Sequence, residues 1–347
     1  MESISLARGV PATECLALEE LADCARAAIE RDGATVLNYG PAGGYGPLRE
    51  WIADRHRVEP ERVVLTNGSL QGFRFLAELL APNGTVIVEA PTYDRPLKIL
   101  DDLGAEVICV PLDEEPAIED GAFLYTIPTF QNPTGRTLPV DRRKRLADLA
   151  KGGLLVLEDD PYGLVRFEGV SPPTLHELEG GELVTYTSSF SKTVAPGVRT
   201  GYFVLPESDA AAFEERAVST YIAPPFLPQA IVAEFLAQGR FEPNLEHVRD
   251  ELRARRDAML EALRAHAPEG SAWSTPEGGY FVWFEHAGAD STDLASAAER
   301  EGVSFVPGPG FFAPGDPKGR VSARFAFSYE TPQRITEGVG RVMRLLG

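Results

Sequence analysis

Short runs of β-branched residues alternate with amphipathic helical stretches along most of the chain, and this alternation constrains the fold more than any other feature. It begins near residue 63 and is typical of parallel strands joined by helical crossovers. Strands are predicted over residues 63–66, 85–89, 106–111, 123–127, 154–158, 184–187 and 201–205. The stretch 69–80 is predicted to be a helix that covers the sheet, because its apolar residues share one face. The pattern therefore predicts an α/β domain with one wide, mostly parallel sheet of seven strands.

The sequence changes character after Pro243, which predicts a second, smaller lobe. A long, charge-rich helix is expected over 245–267 as a connector. Shorter strands follow at 279–284, 304–306 and 321–327, with a helix over 293–301, and this mixture is typical of an α+β lobe. A helix over 15–31 precedes the sheet and is expected to pack on the same lobe. We therefore predict a large domain over 36–244 and a small domain made of 1–35 and 245–347.

The charge of the chain limits its partners. The 347 residues include 52 acidic and 33 basic side chains, which gives a formal net charge of −19. Such a surface repels phosphate backbones and anionic lipids, so we expect no nucleic-acid partner and no membrane partner. The start of the chain lacks the apolar stretch of a secretory signal, and a cytoplasmic location is predicted. The three cysteines and the dispersed histidines match no ligand spacing, so no metal site is predicted.

One of the few lysines has an unusual setting. Lys192 follows the predicted strand 184–187 and a turn rich in serine, at the carboxyl edge of the parallel sheet, where such sheets bind ligands. A lysine that is desolvated there has a lowered pKa and a nucleophilic amine. A solvated lysine after a strand is the ordinary alternative, and position alone does not decide between the two.

Three other segments at this edge carry groups that suit a phosphorylated aldehyde cofactor. Ser69 opens the helix over 69–80, where backbone N–H groups can hold a phosphate. Asp159 and Asp160 are adjacent carboxylates at a strand end, which is costly unless a cation lies close. Asn132 stands in the turn after the strand over 123–127. Each of these has an ordinary explanation as a helix cap or a turn, but with a nucleophilic amine they together predict pyridoxal phosphate.

Four ordered motifs resemble those of the fold type I aminotransferases of class I and II. They are Asn132-Pro133-Thr134-Gly135, Asp159-Asp160-Pro161-Tyr162, Ser189-Phe190-Ser191-Lys192 with Arg199, and Arg324-Phe325-Ala326-Phe327-Ser328. The resemblance runs from about Ile4 to the C-terminus. It is greatest to the branch that holds 2-aminoadipate, kynurenine and aromatic aminotransferases and the effector domains of MocR-type regulators. It implies an aspartate-aminotransferase-like fold, pyridoxal 5′-phosphate as cofactor, and a homodimer with shared active sites.

The resemblance also implies a role for each motif residue. Lys192 would bind the cofactor aldehyde covalently and carry the proton between substrate and cofactor, and Asp159 would pair with the ring nitrogen. The other cofactor contacts would come from Tyr162 and Asn132 at the phenolate oxygen, Tyr93 against the ring, Ser69, Leu70, Ser189 and Arg199 at the phosphate, and Tyr39, which would reach the phosphate of the partner subunit. The substrate would be held by Arg324 at its α-carboxylate, with Asn132, Tyr39, Arg8 and Gly9 beside it.

Departures from the family pattern bear on substrate choice. Leu70 stands where relatives often have a glutamine. The backbone N–H of this residue, which would bind the phosphate, does not depend on the side chain. Arg8 stands where many relatives have a glycine, in a segment that lies over the substrate mouth in the family. It either pairs with the side-chain carboxylate of a dicarboxylic substrate or is solvated. Tyr39, Tyr93 and Tyr221 would tolerate an apolar or aromatic side chain. Aromatic, broad and 2-aminoadipate-like specificities therefore all stay open, with 2-oxoglutarate as the expected amino acceptor.

We predict an aminotransferase that works in two half-reactions by a ping-pong mechanism. One alternative is another fold type I pyridoxal-phosphate enzyme, such as a β-lyase or a decarboxylase, because one fold hosts several reactions. The other is a non-enzymatic effector domain of a MocR-type regulator. Such regulators carry an N-terminal winged helix, and we expect none here because the resemblance begins almost at Met1.

Overall fold

The computed structural model describes residues 3–81, 84–112, 114, 123–313 and 315–347. The strands in these ranges are β1 (Ile4–Ser5), β2 (Val63–Thr66), β3 (Thr85–Ala90), β4 (Glu106–Pro111), β5 (Phe123–Thr126), β6 (Leu155–Asp159), β7 (Val184–Ser189), β8 (Gly201–Val204), β9 (Ser271–Trp273), β10 (Phe281–His286), β11 (Val303–Ser304), β12 (Val306–Pro307) and β13 (Ser322–Ala326). The α-helices are α1 (Leu18–Val36), α2 (Gly46–His56), α3 (Ser69–Leu80), α4 (Asp94–Asp102), α5 (Val140–Lys151), α6 (Leu175–Glu179), α7 (Glu207–Tyr221), α8 (Phe226–Ala237), α9 (Phe241–His266), α10 (Ser291–Arg300), α11 (Pro317–Arg320) and α12 (Pro332–Arg344).

Seven of the described strands form the central sheet in the order β2-β8-β7-β6-β5-β3-β4. The strands from β7 to β4 pair in parallel, whereas β8 is antiparallel to both β7 and β2. The connection from β7 to β8 is too short for a helical crossover, so β8 has to return antiparallel. The prediction of a mostly parallel seven-stranded α/β sheet is confirmed, with strand limits that differ from the predicted ones by no more than two residues.

Six of the seven strands run in the same direction and only β8 is reversed, because β2 is related to β7 through two antiparallel steps. Their carboxyl ends therefore lie along one edge. Strands β2, β5 and β7 are buried throughout, since helices cover both faces of the sheet. At or just beyond the strand ends on this edge lie Ser69, Tyr93, Asn132, Asp159 and Lys192.

The C-terminal lobe is α+β, as predicted. Its antiparallel sheet has the order β12-β13-β10-β9 and packs against α9 and α12. The connector helix α9 begins at Phe241 and ends at His266, close to its predicted range. At the other end of the sequence, β1 pairs in parallel with β11, so the first residues of the chain belong to this lobe. The backbone of Leu6 accepts a hydrogen bond from Ala326, which holds the N-terminal segment along β13.

The first helix lies elsewhere than predicted. Helix α1 runs along α8, and Cys24 and Ala28 share a core with Leu65 and Val204 of the central sheet. The prediction that the helix over 15–31 packs on the C-terminal lobe is therefore wrong. An amphipathic pattern shows that a helix has an apolar face, but not which surface covers that face. Here the apolar helix α8 supplies the surface. The predicted domain limits at 35/36 and 244/245 stay predictions.

None of the helices in the described ranges is long and apolar enough to cross a bilayer. Within the same ranges, no group of three or more acidic, histidine or cysteine side chains is arranged to hold a metal ion. The cytoplasmic location stays a prediction.

Candidate active site

A cavity of about 360 Å³ lies between the carboxyl edge of the central sheet and the C-terminal lobe. It gathers residues that are far apart in the sequence. The predicted site residues that line it are Gly9, Ser69, Leu70, Tyr93, Asn132, Asp159, Tyr162, Ser189, Lys192, Arg199 and Arg324. Because groups from both lobes and from the N-terminal segment meet here, the cavity is the candidate active site.

Two predicted residues lie outside this cavity. Tyr39 is 79% exposed and lies beside a second surface cavity, together with the loop at 223–227. Arg8 donates a hydrogen bond from Nη1 to the Tyr329 hydroxyl at 2.9 Å, and its guanidinium lies 4.9 Å from the centre of that ring. The structure therefore does not bring the side chains of Tyr39 and Arg8 to the site of their own chain.

Lys192 lies in the loop after β7, in the floor of the cavity. Its amine donates a hydrogen bond to the Gly9 carbonyl at 2.7 Å and lies 5.1 Å from the centre of the Tyr280 ring. Burial lowers the pKa of Lys192 to about 8, and the charges of Arg324 and Arg199 act in the same direction. The neutral form of the amine is thus far more accessible near neutral pH than in a solvated lysine, which favours attack on an aldehyde.

Asp159 is the last residue of β6. One of its carboxylate oxygens accepts a hydrogen bond from the described residues, and the other does not. The Tyr125 hydroxyl donates a hydrogen bond to Oδ2 at 2.7 Å. The other oxygen, Oδ1, is buried and has no partner among the described residues. Burial raises the pKa of Asp159 to about 7, against the opposing effect of the Tyr125 hydrogen bond. A buried carboxylate oxygen without a donor suits a ligand that brings a protonated nitrogen.

Tyr125 supports the candidate site through Asp159, and no sequence motif indicated it. It lies on β5, where it pairs with Leu157 of β6, two residues before Asp159. A buried tyrosine needs a partner for its hydroxyl, and the nearest strand end carries a carboxylate. The position of a phenol on the strand beside an acidic strand end is the signal that could have found it.

Replacing Tyr125 with phenylalanine should move the acid limit of cofactor binding upward by about one pH unit. Without the phenolic donor the carboxylate loses stabilisation, so the pKa of Asp159 rises further. The ionised form of Asp159, which suits the protonated ring nitrogen of the predicted cofactor, then disappears at a higher pH. The measurement is the affinity of the cofactor-free protein for pyridoxal phosphate between pH 5 and 8.

The matched control is Tyr186→Phe. Tyr186 is a buried tyrosine of β7, on the other side of β6, and its hydroxyl donates to Oδ2 of Asp160 at 3.1 Å. This variant should leave the acid limit where it is. An equal shift in both variants would show that Tyr125 acts only through packing.

The turn between β2 and α3 forms a cradle for an anion. Gly68 has a φ of +85°, and a side chain there would come within 2.3 Å of Nη2 of Arg199. A side chain at Gly201 would come within 2.4 Å of the Ser69 backbone nitrogen. These glycines let the start of α3 and the Arg199 guanidinium approach each other closely. Because the first N–H groups of a helix have no partner within the helix, this cradle suits a phosphate.

Arg324 of β13 closes the cavity from the C-terminal lobe. Its Nη1 donates to Oδ1 of Asn132 at 2.9 Å and its Nη2 donates to the Ala7 carbonyl at 3.0 Å. Its Nε is buried without a partner among the described residues, and the guanidinium lies 4.3 Å from the centre of the Phe281 ring. A buried guanidinium with a spare donor is suited to bind a carboxylate.

The family model described as aminotransferase class I and II matches residues 2–339 of the chain. The protein belongs to the class I and II aminotransferases. A 2-aminoadipate transaminase from Thermus thermophilus is 36% identical over 99% of this aminotransferase and 90% of its own length. Aromatic-amino-acid aminotransferase 1 from Thermococcus litoralis is 33% identical over 98% of this chain and 87% of its own length.

A solved structure gives the same result. The α-aminoadipate aminotransferase from Thermus thermophilus, complexed with N-(5′-phosphopyridoxyl)-L-leucine, matches with a TM-score of 0.92 at 34% identity. The match covers 99% of this aminotransferase and 92% of that chain. The predicted fold type I architecture and the predicted pyridoxal-phosphate-dependent transaminase are confirmed.

The residues of this aminotransferase suit pyridoxal 5′-phosphate, its cofactor. The available oxygen of Asp159 suits the ring nitrogen, the cradle at Gly68 and Arg199 suits the phosphate, and the buried amine of Lys192 suits the aldehyde. These three groups line one cavity, so a single molecule can meet all of them.

Proposed function

We propose that this aminotransferase moves the amino group of an L-amino acid to a 2-oxo acid, with 2-oxoglutarate as the acceptor, in two half-reactions at one site. The observation that carries the proposal is the shared cavity, which holds a buried amine, an available carboxylate oxygen and a buried guanidinium. The relatives named above act on 2-aminoadipate and on aromatic amino acids, and the cavity walls at Tyr93 and Phe281 suit an apolar side chain.

In this proposal each residue has a defined task. Lys192 would hold the cofactor through its aldehyde, and the Lys192 amine would move the proton of the substrate Cα. Asp159 keeps the ring nitrogen protonated, while Tyr162 and Asn132 donate to the phenolate oxygen and Tyr93 lies against the ring. The phosphate is held by Ser69, Leu70, Ser189 and Arg199. When bound, the cofactor supplies an electron sink for the charge that develops at Cα.

Arg324 binds the α-carboxylate that amino acids and 2-oxo acids share. Its two Nη groups already hold Asn132 and the backbone of Ala7, so the guanidinium is oriented before substrate arrives. The backbone carbonyl of Gly9, beside the Lys192 amine, brings the N-terminal segment to the same place. Preorganisation of this kind reduces the entropy lost on binding.

We also propose a homodimer with shared active sites. Tyr39 and Leu37 are largely exposed, and they lie beside a surface cavity together with the loop at 223–227. An exposed apolar patch around a residue that the family places at the partner's phosphate supports an interface there. Sedimentation of the holoenzyme as a monomer would contradict this proposal.

The test of the proposed function uses the holoenzyme and a panel of amino acids added without any 2-oxo acid. The absorbance of the cofactor should change to that of its amine form, and adding 2-oxoglutarate should restore the original spectrum. Amino-acid-dependent release of ammonia and pyruvate, or of carbon dioxide, would instead identify a β-lyase or a decarboxylase. The absence of any spectral change with every donor would contradict an enzymatic role.

A further inference from the structure

The active-site cavity carries more positive charge than the proposed function uses. Four cationic side chains line it, against two carboxylates. In the proposed function, Lys192 is bound to the cofactor, Arg199 faces the phosphate and Arg324 faces the α-carboxylate. The fourth cation, Arg95, has no task.

Arg95 lies at the mouth of the cavity. It is the second residue of α4 and directly follows Tyr93 and Asp94, which also line the cavity. Burial raises the pKa of Tyr93 and lowers that of Arg324, and the charge of Arg95 acts on both of them in the lowering direction. The Arg95 guanidinium is therefore close enough to influence the groups that surround a bound substrate.

The acidic partner of Arg95 does not neutralise it. The Nε atom of Arg95 lies 3.7 Å from Oδ2 of Asp94, which is longer than a direct hydrogen bond. The same oxygen lies 3.5 Å from Nζ of Lys98, so one carboxylate serves two cations. The Arg95 side chain is 54% exposed. The three side chains together keep one net positive charge at the mouth of the cavity.

We propose that Arg95 is a specificity-determining residue that binds the side-chain carboxylate of dicarboxylic amino acids and 2-oxo acids. The inference rests on the proposed function, because it places the α-carboxylate at Arg324. The sequence suggested Arg8 as a partner for such a carboxylate, but the Arg8 side chain contacts Tyr329 and does not line the cavity.

The apolar residues of the cavity wall limit the proposed effect of Arg95 to one class of substrate. Tyr93, Ile127 and Phe281 line the cavity and can contact an apolar side chain without Arg95. Arg95 should therefore raise the preference for dicarboxylic substrates and leave the reaction of apolar substrates unchanged. An effect that is confined to one class of substrate distinguishes specificity from general catalysis.

The experiment compares the holoenzymes of R95Q and K151Q with the parent. Lys151 is the matched control because it is an exposed cation that pairs with Asp148, does not contact Asp94 and does not line the cavity. The dissociation constants of glutarate and butyrate, two unreactive acids that differ by one carboxylate, are measured by titration. The ratio of kcat/KM for L-glutamate to that for L-leucine is measured in parallel.

We expect R95Q to weaken glutarate binding by about fivefold and to leave butyrate within twofold, with a matching fall in the glutamate-to-leucine ratio. K151Q should leave the dissociation constants of both acids within twofold of the parent values. If R95Q weakens both acids alike, or if the parent binds them equally, the role of Arg95 is overturned while the proposed function stands. If the parent converts no amino donor at all, the proposed function is contradicted, and so is the role of Arg95 that rests on it.

Discussion

Replacing Lys192 with alanine should reduce transamination turnover by about a thousandfold or more. In the proposed function, the variant loses both the amine that holds the cofactor aldehyde and the group that moves the substrate proton. The cradle around Arg199 and the oxygen of Asp159 stay in place, so the protein should still bind pyridoxal phosphate without a covalent bond. The measurement is turnover with a donor that the parent uses, together with the cofactor content after dialysis.

Two controls separate chemistry from folding in this variant. Lys151→Ala removes an exposed lysine at the end of α5, which pairs only with Asp148 in the described ion pairs, and should retain parental turnover. A small added amine such as methylamine should restore part of the activity of the Lys192 variant, because it can carry the proton in solution. Retention of more than a tenth of parental turnover without added amine would contradict the assigned role.

Asp159→Asn should keep cofactor bound and lose about a hundredfold or more of turnover. The amide has nearly the shape of the carboxylate, so the contacts with the phosphate and with Lys192 remain. It carries no charge, however, and cannot keep a proton on the ring nitrogen. Turnover close to that of the parent would show that the ring nitrogen does not depend on this carboxylate.

The same substitution should change the pH dependence of stability of the cofactor-free protein. In the unfolded chain Asp159 releases its proton near its ordinary pKa of 3.8, whereas burial raises the pKa to about 7 in the folded protein. Between these values the folded state binds the additional proton, so stability falls as pH rises, by up to about 1.4 kcal/mol per pH unit. Above pH 7 this contribution is constant.

Comparing the parent with Asp159→Asn separates the effect of Asp159 from that of the adjacent Glu158. Burial also raises the pKa of Glu158, to about 8, but that carboxylate is present in both proteins. The melting temperature of the cofactor-free parent should therefore fall relative to that of Asp159→Asn between pH 5 and pH 7. Parallel melting curves over this range would mean that Asp159 is ionised in the empty site.

The limits of the seven sheet strands and the mostly parallel character of the sheet were accessible from the sequence, because strand and helix periodicities are local. The position of Lys192 after a strand was enough to place it at the ligand-binding edge of the sheet. The surface that α1 packs against could not be predicted from the sequence. The apolar face of α1 could pack on either lobe, and the choice depends on the apolar surface that α8 offers. Contacts over long sequence separations decide such choices.

The residues of the candidate site likewise divide into those that the sequence predicts and those that only the structure indicates. The motifs around Asn132, Asp159 and Lys192 carry their own spacing and could be recognised one at a time. Tyr125 and Arg95 belong to no motif, and their importance follows from a strand register and from the charge around a cavity. Arg8 is the opposite case, since the sequence suggested it for the site but the structure does not place its side chain there. Its segment reaches the site, whereas its side chain contacts Tyr329.

The most direct measurement is borohydride reduction of the protein after incubation with pyridoxal phosphate, followed by peptide mapping. We expect a pyridoxyl group attached to Lys192, and none on the exposed Lys98 and Lys151 at stoichiometric cofactor. A reduced protein without label at position 192 would contradict covalent binding of the cofactor by Lys192.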